Sequence, residues 1–203
     1  MYQELRQAWE ELTASDAQFE LEEVIFEGNS ILSYKNQVPS LREFWLGSLR
    51  FGERDYLVYE NERLTYFDAH QQVANVANWF LEHGVESGDR VAIAMRNYPE
   101  WMVAYWASVS IGVTCVGMNA WWATPELEYA IEDATPKMII VDEERLDQLH
   151  LLPEVVESLH VIAVRSQSSD SRVTHWETLV SGQTELPEVE VLPDSDACIF
   201  YTS

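Results

Sequence analysis

Positive charge is scarce in this sequence. Of 203 residues, 12 are Lys or Arg against 35 Asp or Glu, giving a formal charge of −23 at pH 7. Nucleic-acid binding rests on a basic footprint that neutralises phosphates, and this chain has none to offer. The same acidity disfavours docking on anionic membranes. Cysteine is scarce too. Cys115 and Cys198 lie far apart in sequence, each inside an apolar strand-like run, and read as two buried free thiols rather than a disulfide or a redox pair. No apolar run is long or uninterrupted enough to cross a bilayer. The acidic amphipathic start, Met1 to Leu12, has neither the basic head nor the apolar core of a secretory signal. Cytoplasm is the expected compartment. A Gly-x-Ser-x-Gly elbow, a dinucleotide glycine fingerprint and a Cys/His cluster are all missing. The histidines His70, His83, His150, His160 and His175 show no metal-ligand pairing, and His83 before Gly84 suits a helix C-terminus.

What is present is ample material for a core. Hydrophobic residues make up 47% of the chain, with eight Trp and nine Tyr, enough for one large domain or two small ones. Residues 1–38 read as an extension: a helix, then extended pieces at 24–26 and 31–34. Residues 39–203 read as a domain. Ser40 caps a helix that runs to Leu49. Residues 56–60 and 63–66 flank Asn61-Glu62 as a hairpin. A helix over 67–83 carries Val73, Val76, Ala77 and Phe80 on one face and stops at Gly84.

Strand and helix then alternate. Strands are expected at 90–95, 114–119, 137–141 and 161–164. Helices are expected at 99–111, from Thr124 with cap and proline in order, and within 143–158. The pattern loosens after Arg165, with a short helix at 175–181, and ends on a strand at 197–200. Repeated strand–helix–strand units imply an α/β fold: a parallel sheet in layers, with flanking helices and right-handed connections.

Three segments in order resemble the adenylate-forming enzymes, which comprise acyl-CoA synthetases, aryl-CoA ligases, luciferases and peptide-synthetase adenylation domains. The first is Leu64-Thr65-Tyr66, followed by Gly84-Val85 and Gly88-Asp89-Arg90-Val91-Ala92-Ile93. The second runs from Asn97-Tyr98-Pro99-Glu100-Trp101 through Ile111-Gly112-Val113 to Met118-Asn119. The third is Asp194 to Ser203, which resembles the approach to the family's phosphate loop, Tyr-Thr-Ser-Gly-Thr-Thr-Gly-x-Pro-Lys-Gly. Gly117-Met118-Asn119 stands where the family usually has Pro-Leu-Asn. Tyr34-Lys35-Asn36, Met95 to Trp101 and Asn119 to Trp122 are most similar to fatty-acyl-CoA synthetases.

The resemblance implies a two-step ligation using ATP, Mg2+ and coenzyme A. A carboxylic acid, here a fatty acid, attacks the α-phosphate to give an acyl-adenylate and pyrophosphate, and the thiol then displaces AMP. Such chemistry asks a protein mainly to position groups and neutralise charge. Thr202 and Ser203 are the residues expected to meet the ATP phosphates. No lysine or glycine-rich continuation follows them, so an amino-terminal portion of such an enzyme, inactive alone, is expected.

Other candidates carry weaker signals. Trp101 and Tyr105 share a helix face with Trp106 nearby, and read as helix-on-sheet packing before an acyl tunnel. Trp121-Trp122 follow a strand end, where pocket wall and surface packing are equally open. Asn119 reads as a turn residue, and Arg90 and Arg96 as strand-edge and turn residues. Two rival functions stay open: an aryl or amino-acid adenylating ligase, and a non-catalytic interaction module that keeps half of the fold.

Overall fold

The computed structural model describes residues 2–202. They divide into two compact units, one up to Pro39 and one from Ser40 onward. The first holds helix α1 (Tyr2–Leu12) and an antiparallel hairpin of β1 (Leu21–Phe26) and β2 (Asn29–Tyr34). The Lys35 ammonium pairs with Glu20 at 2.8 Å beside that hairpin.

The second unit opens with α2 (Leu41–Ser48), where the Ser40 hydroxyl accepts the Glu43 amide N–H, as a cap should. β3 (Asp55–Tyr59) and β4 (Glu62–Thr65) pair as the expected hairpin, but the two-residue turn is Glu60-Asn61, one residue earlier than the sequence suggests. The Tyr59–Glu62 register leaves only those two residues outside the ladder, and Glu60 takes a left-handed φ of 47°. Helix α3 (Tyr66–Glu82) starts in a Thr65–Asp68 capping box. It ends where Gly84 turns left-handed, so the amides of Gly84 and Val85 reach back to the carbonyls of Leu81 and Phe80.

The alternation then proceeds as β5 (Arg90–Ala94), α4 (Pro99–Ser110), β6 (Thr114–Gly117), α5 (Thr124–Ala134) and β7 (Met138–Asp142). It continues with α6 (Glu143–Leu149), α7 (Pro153–Ser158), β8 (His160–Val164), β9 (Val173–His175) and β10 (Cys198–Phe200). Two details differ from the sequence reading. Thr124 is the first residue of α5 rather than its cap, and the Glu126 carboxylate accepts the Ala123 amide instead. The short helix expected at 175–181 is a strand end and a single 3-10 turn, Trp176–Thr178. Val173–His175 gains more from the ladder against β8 than a helix start there could offer.

The six later strands form one parallel sheet in the order β10-β6-β5-β7-β8-β9, as an α/β fold requires. β5→β6 moves one way across the sheet, while β6→β7 passes back over β5. Right-handed crossovers then put α4 on one face and α5 and α6 on the other. Side chains sort accordingly. Val91, Ile93, Met138, Ile140 and Ile162 pack with α3 and α4, whereas Ala92, Ala94, Ile139, Val141 and Val161 pack with α5 and α6. The inner strands β5, β7 and β8 are therefore apolar in both phases because both faces are covered.

Where α2 crosses α3, Trp45 and His70 stack at 4.0 Å, and the His70 Nε2 lies 2.9 Å from the Ser48 hydroxyl. Burial pushes the His70 pKa down to about 4. An unfolded histidine titrates near 6.5, so the unfolded chain binds the extra proton first. Stability is full above that value and falls as pH drops from about 6.5 towards 4, by an expected 2–3 kcal/mol, roughly. Urea midpoints at pH 7 and pH 4.5 measure this. His70→Gln should flatten the loss, and an equal loss in that variant would assign it to other groups.

Candidate functional site

The loops beyond the carboxyl ends of β5, β6 and β10 enclose an open crevice of ≈ 710 Å³. β5 and β7 are neighbours whose chains leave to opposite faces, which is where open parallel sheets accept ligands. Met95, Arg96, Asn97 and Tyr98 enter the crevice from β5, and Trp101 from the first turn of α4. Met118 to Trp122 come from β6 and Phe200-Tyr201 from β10, with Tyr59 and Glu144 at the sides. The floor depends on Gly117. A Cβ there would sit 2.9 Å from Cε1 of Phe200, so only glycine lets that ring lie flat across the end of β6.

Arg96 is the cation of this aromatic crevice. Its guanidinium lies 3.5 Å from the centre of the Trp121 ring, and its Nη2 lies 3.7 Å from Glu144. Cation–π attraction of this kind contributes about 0.5–2 kcal/mol, the more as water is displaced. Its position is set from the backbone, because the Arg96 amide donates to Asp142 Oδ2 at 2.9 Å. Asp142 ends β7 and caps α6 through the Arg145 amide at 3.2 Å, and its Oδ1 lies 2.9 Å from the Arg145 Nε. That pair is deep, with side chains 6% and 3% exposed.

The opposite wall is held by a second cation. The Arg165 guanidinium lies 5.2 and 4.9 Å from the ring centres of Tyr59 and Tyr98. It binds both Glu62 oxygens, at 2.8 and 2.7 Å, and Glu100 at 2.9 Å. Those hydrogen bonds, Glu62 first, hold its pKa above the ordinary arginine range. At the third wall the Tyr201 hydroxyl donates to Asp133 at 2.8 Å, tying the exit of β10 to α5. Burial, and then Asp133, push that phenol up to about 12.

The sequence candidates fall out unevenly. Thr202 is exposed, immediately beyond the Tyr201 strap on the carboxyl side of β10. Ser203 lies outside the described residues. Trp101 lines the crevice and stacks on Tyr105 at 5.8 Å, while Tyr105 turns towards the core. Trp106 is a packing residue, its indole N–H donating to the Tyr56 hydroxyl at 2.6 Å. Trp121 and Trp122 both line the crevice, with Trp121 74% exposed. Asn119 does hold a turn, its Oδ1 accepting the Trp121 amide at 2.9 Å. Arg96 is the correction: its backbone makes a turn, but its side chain faces the crevice. Asp142 and Arg145 carried no signal, because a run rich in acids reads as a solvated helix face. Among the described residues no group of three or more His, Cys, Asp or Glu side chains is placed to hold a metal ion. No helix there is long and apolar enough to cross a membrane.

The sequence family described as AMP-binding enzyme matches residues 47–203. A 3-hydroxybenzoate–CoA/4-hydroxybenzoate–CoA ligase of Thauera aromatica is 27% identical over 154 residues, 75% of this chain and 29% of that enzyme. A medium-chain fatty-acid–CoA ligase of Escherichia coli strain K12 is 32% identical over 101 residues, 49% of this chain and 18% of that enzyme. A crystal structure of an anthranilate CoA ligase with anthranoyl-AMP shares the fold at a TM-score of 0.75 and 19% identity, covering 81% of this chain and 32% of that one. The chain thus spans less than a third of the length of these relatives.

Proposed function

The chain belongs to the AMP-binding enzyme family, and from that premise we propose that it contributes the amino-terminal part of the large domain of an AMP-forming acid–CoA ligase. Residues 39–203 are that part and residues 1–38 an extension of it. The reaction takes a carboxylic acid, ATP with Mg2+, and coenzyme A. The acid oxygen attacks the α-phosphate and pyrophosphate leaves; the thiol then attacks the acyl carbon and AMP leaves. Carboxylates acylate poorly, and the adenylate supplies the leaving group. What this chain adds is placement. β10 leads to Thr202 at the carboxyl rim of the sheet, and the Thr202 and Ser203 hydroxyls and backbone amides are the groups we assign to donate to phosphate oxygens.

The observation that carries this reading is β10 pairing in parallel beside β6, with its exit opening on the aromatic crevice. A fatty acid is the acid we favour, since the walls are mainly aromatic and apolar and one guanidinium is available for a carboxylate or phosphate. The 27% identity to the Thauera hydroxybenzoate ligase supports an aryl acid as the second reading.

Acid-dependent exchange of pyrophosphate into ATP, measured on the ligase containing this chain, tests both. Thr202→Ala should raise KM for ATP about ten- to a hundredfold by removing one hydrogen bond to a charged group, and Thr202→Ser should retain most of the affinity. An unchanged KM in Thr202→Ala would remove Thr202 from the site. Exchange driven by benzoates and not by fatty acids would select the second acid. The 203-residue chain by itself is expected to give no acyl-CoA above background.

A further inference from the structure

We propose that Cys115 and Cys198 form a dithiol site that peroxide closes into a disulfide, fastening β10 to β6 four residues before Thr202. This goes beyond the ligase reading and does not depend on it.

The two cysteines stand 83 positions apart by number, yet they are register partners on adjacent parallel strands. The Cys115 amide donates to the Ala197 carbonyl at 3.0 Å, which fixes that register from one side. Neighbouring strands run about 4.8 Å apart, inside the Cα separation of about 4.4–6.8 Å that a disulfide spans. Both side chains point to the same face, because both belong to the core shared with α3 and α4. The next pair in the same row shows how closely that face is packed: a Cβ on Gly117 would meet the Phe200 ring at 2.9 Å. Tyr105 packs against the same core cluster.

The two thiols are unequal. Cys115 is fully buried, and burial, followed by Cys198, pushes its pKa up to about 12. It therefore acts second, giving up its proton only as its sulfur attacks. Cys198 is half-buried on a three-residue strand at the edge of the sheet, so a small oxidant reaches it first. The Cys198 sulfur attacks hydrogen peroxide. An S–O bond forms, the O–O bond breaks, and the departing hydroxide takes a proton to become water. Cys115 then attacks the Cys198 sulfenic sulfur. The S–S bond forms, the S–O bond breaks, and the Cys115 proton leaves with the hydroxyl as a second water. Two thiols lose two electrons in total, and one peroxide gains them. The bridge would add a covalent tie to the three register pairs that join β10 to β6, stiffening the segment that carries Thr202.

The test treats the whole 203-residue chain with hydrogen peroxide under native conditions, alkylates it in urea and maps it by mass spectrometry without reductant. Expected are a monomer lighter by two hydrogens, loss of alkylation at both cysteines, a cross-linked peptide pair holding Cys115 and Cys198, and reversal by dithiothreitol. Cys198→Ser should leave Cys115 reduced and fully alkylated after the same exposure. Three results would overturn the proposal: alkylation of both cysteines after peroxide, Cys198 carried to sulfinate with Cys115 still free, or covalent dimers through Cys198. The readout is mass and not catalysis, so a failed ligase assay leaves it standing and a missing bridge leaves the ligase reading intact.

Discussion

Asp142→Ala is expected to lower the unfolding free energy by about 3–5 kcal/mol, because it leaves the Arg145 guanidinium buried without its counter-charge. The wild-type carboxylate accepts two backbone donors, the Arg96 amide and the Arg145 amide, and lies 2.9 Å from the Arg145 Nε as its counter-charge. Removing it orphans two backbone N–H groups as well as a charge. Glu144 also reaches Arg145, but its side chain is 70% exposed and so compensates little. Asp142→Asn keeps shape and acceptor oxygen and should fall between the two. The double variant Asp142→Ala with Arg145→Leu should be more stable than Asp142→Ala alone, since no unpaired charge is left inside. Urea denaturation followed by tryptophan fluorescence measures all three. A change under about 1 kcal/mol for Asp142→Ala would mean that Arg145 reaches water in solution.

The consequence extends to the crevice. Asp142 pins the backbone of Arg96, whose guanidinium covers Trp121. Loss of that anchor should change Trp121 emission in the same variant, before any unfolding.

Trp45→Ala should cost about as much, 3–5 kcal/mol on the order of magnitude seen for buried tryptophans, and lower the melting temperature by roughly 6–20 °C. Trp45 is 1% exposed and occupies the junction of four elements. It stacks on His70 of α3 at 4.0 Å and on Trp106 of α4 at 4.9 Å, and it leans on Tyr56 of β3 at 5.4 Å. An alanine leaves a cavity that rings on three sides cannot close. Trp45→Phe should be far milder, about 1–2 kcal/mol, because the Trp45 Nε1 has no hydrogen-bond partner among the described residues and phenylalanine removes that buried donor. Thermal unfolding of both variants decides the matter. Equal losses would place the stabilisation in the indole N–H rather than in ring packing.

Much of the architecture was legible. Val91-Ala92-Ile93 and Met138 to Val141 are apolar in both phases of a strand, and only a sheet covered on two faces can bury them. Ser40 and Gly84 announce helix ends through atoms that satisfy the first amides or the last carbonyls, whereas the Thr65–Asp68 box was seen only in the structure. Where the sequence misled, the reason is physical. Val173–His175 is too short for periodicity to mark, and β8 beside it decides its state. Arg96 looked like a turn residue because its backbone is one, and nothing local reveals that Trp121 waits beneath its side chain. Asp142 and Arg145 hid inside an acidic run.

Local pattern therefore established the α/β class, the approximate elements and, through three ordered segments, the family to which the chain belongs. Burial leaves that imprint because each buried position must be apolar or paired, whatever its neighbour. Partners are another matter. The strand order, the Cys115–Cys198 register, the Asp142–Arg145 pair and the aromatic junction at Trp45 all join residues remote in sequence or hidden within a polar run. Which strand lies beside which depends on crossovers and on the packing of both helical layers at once. Only the assembled sheet could decide it.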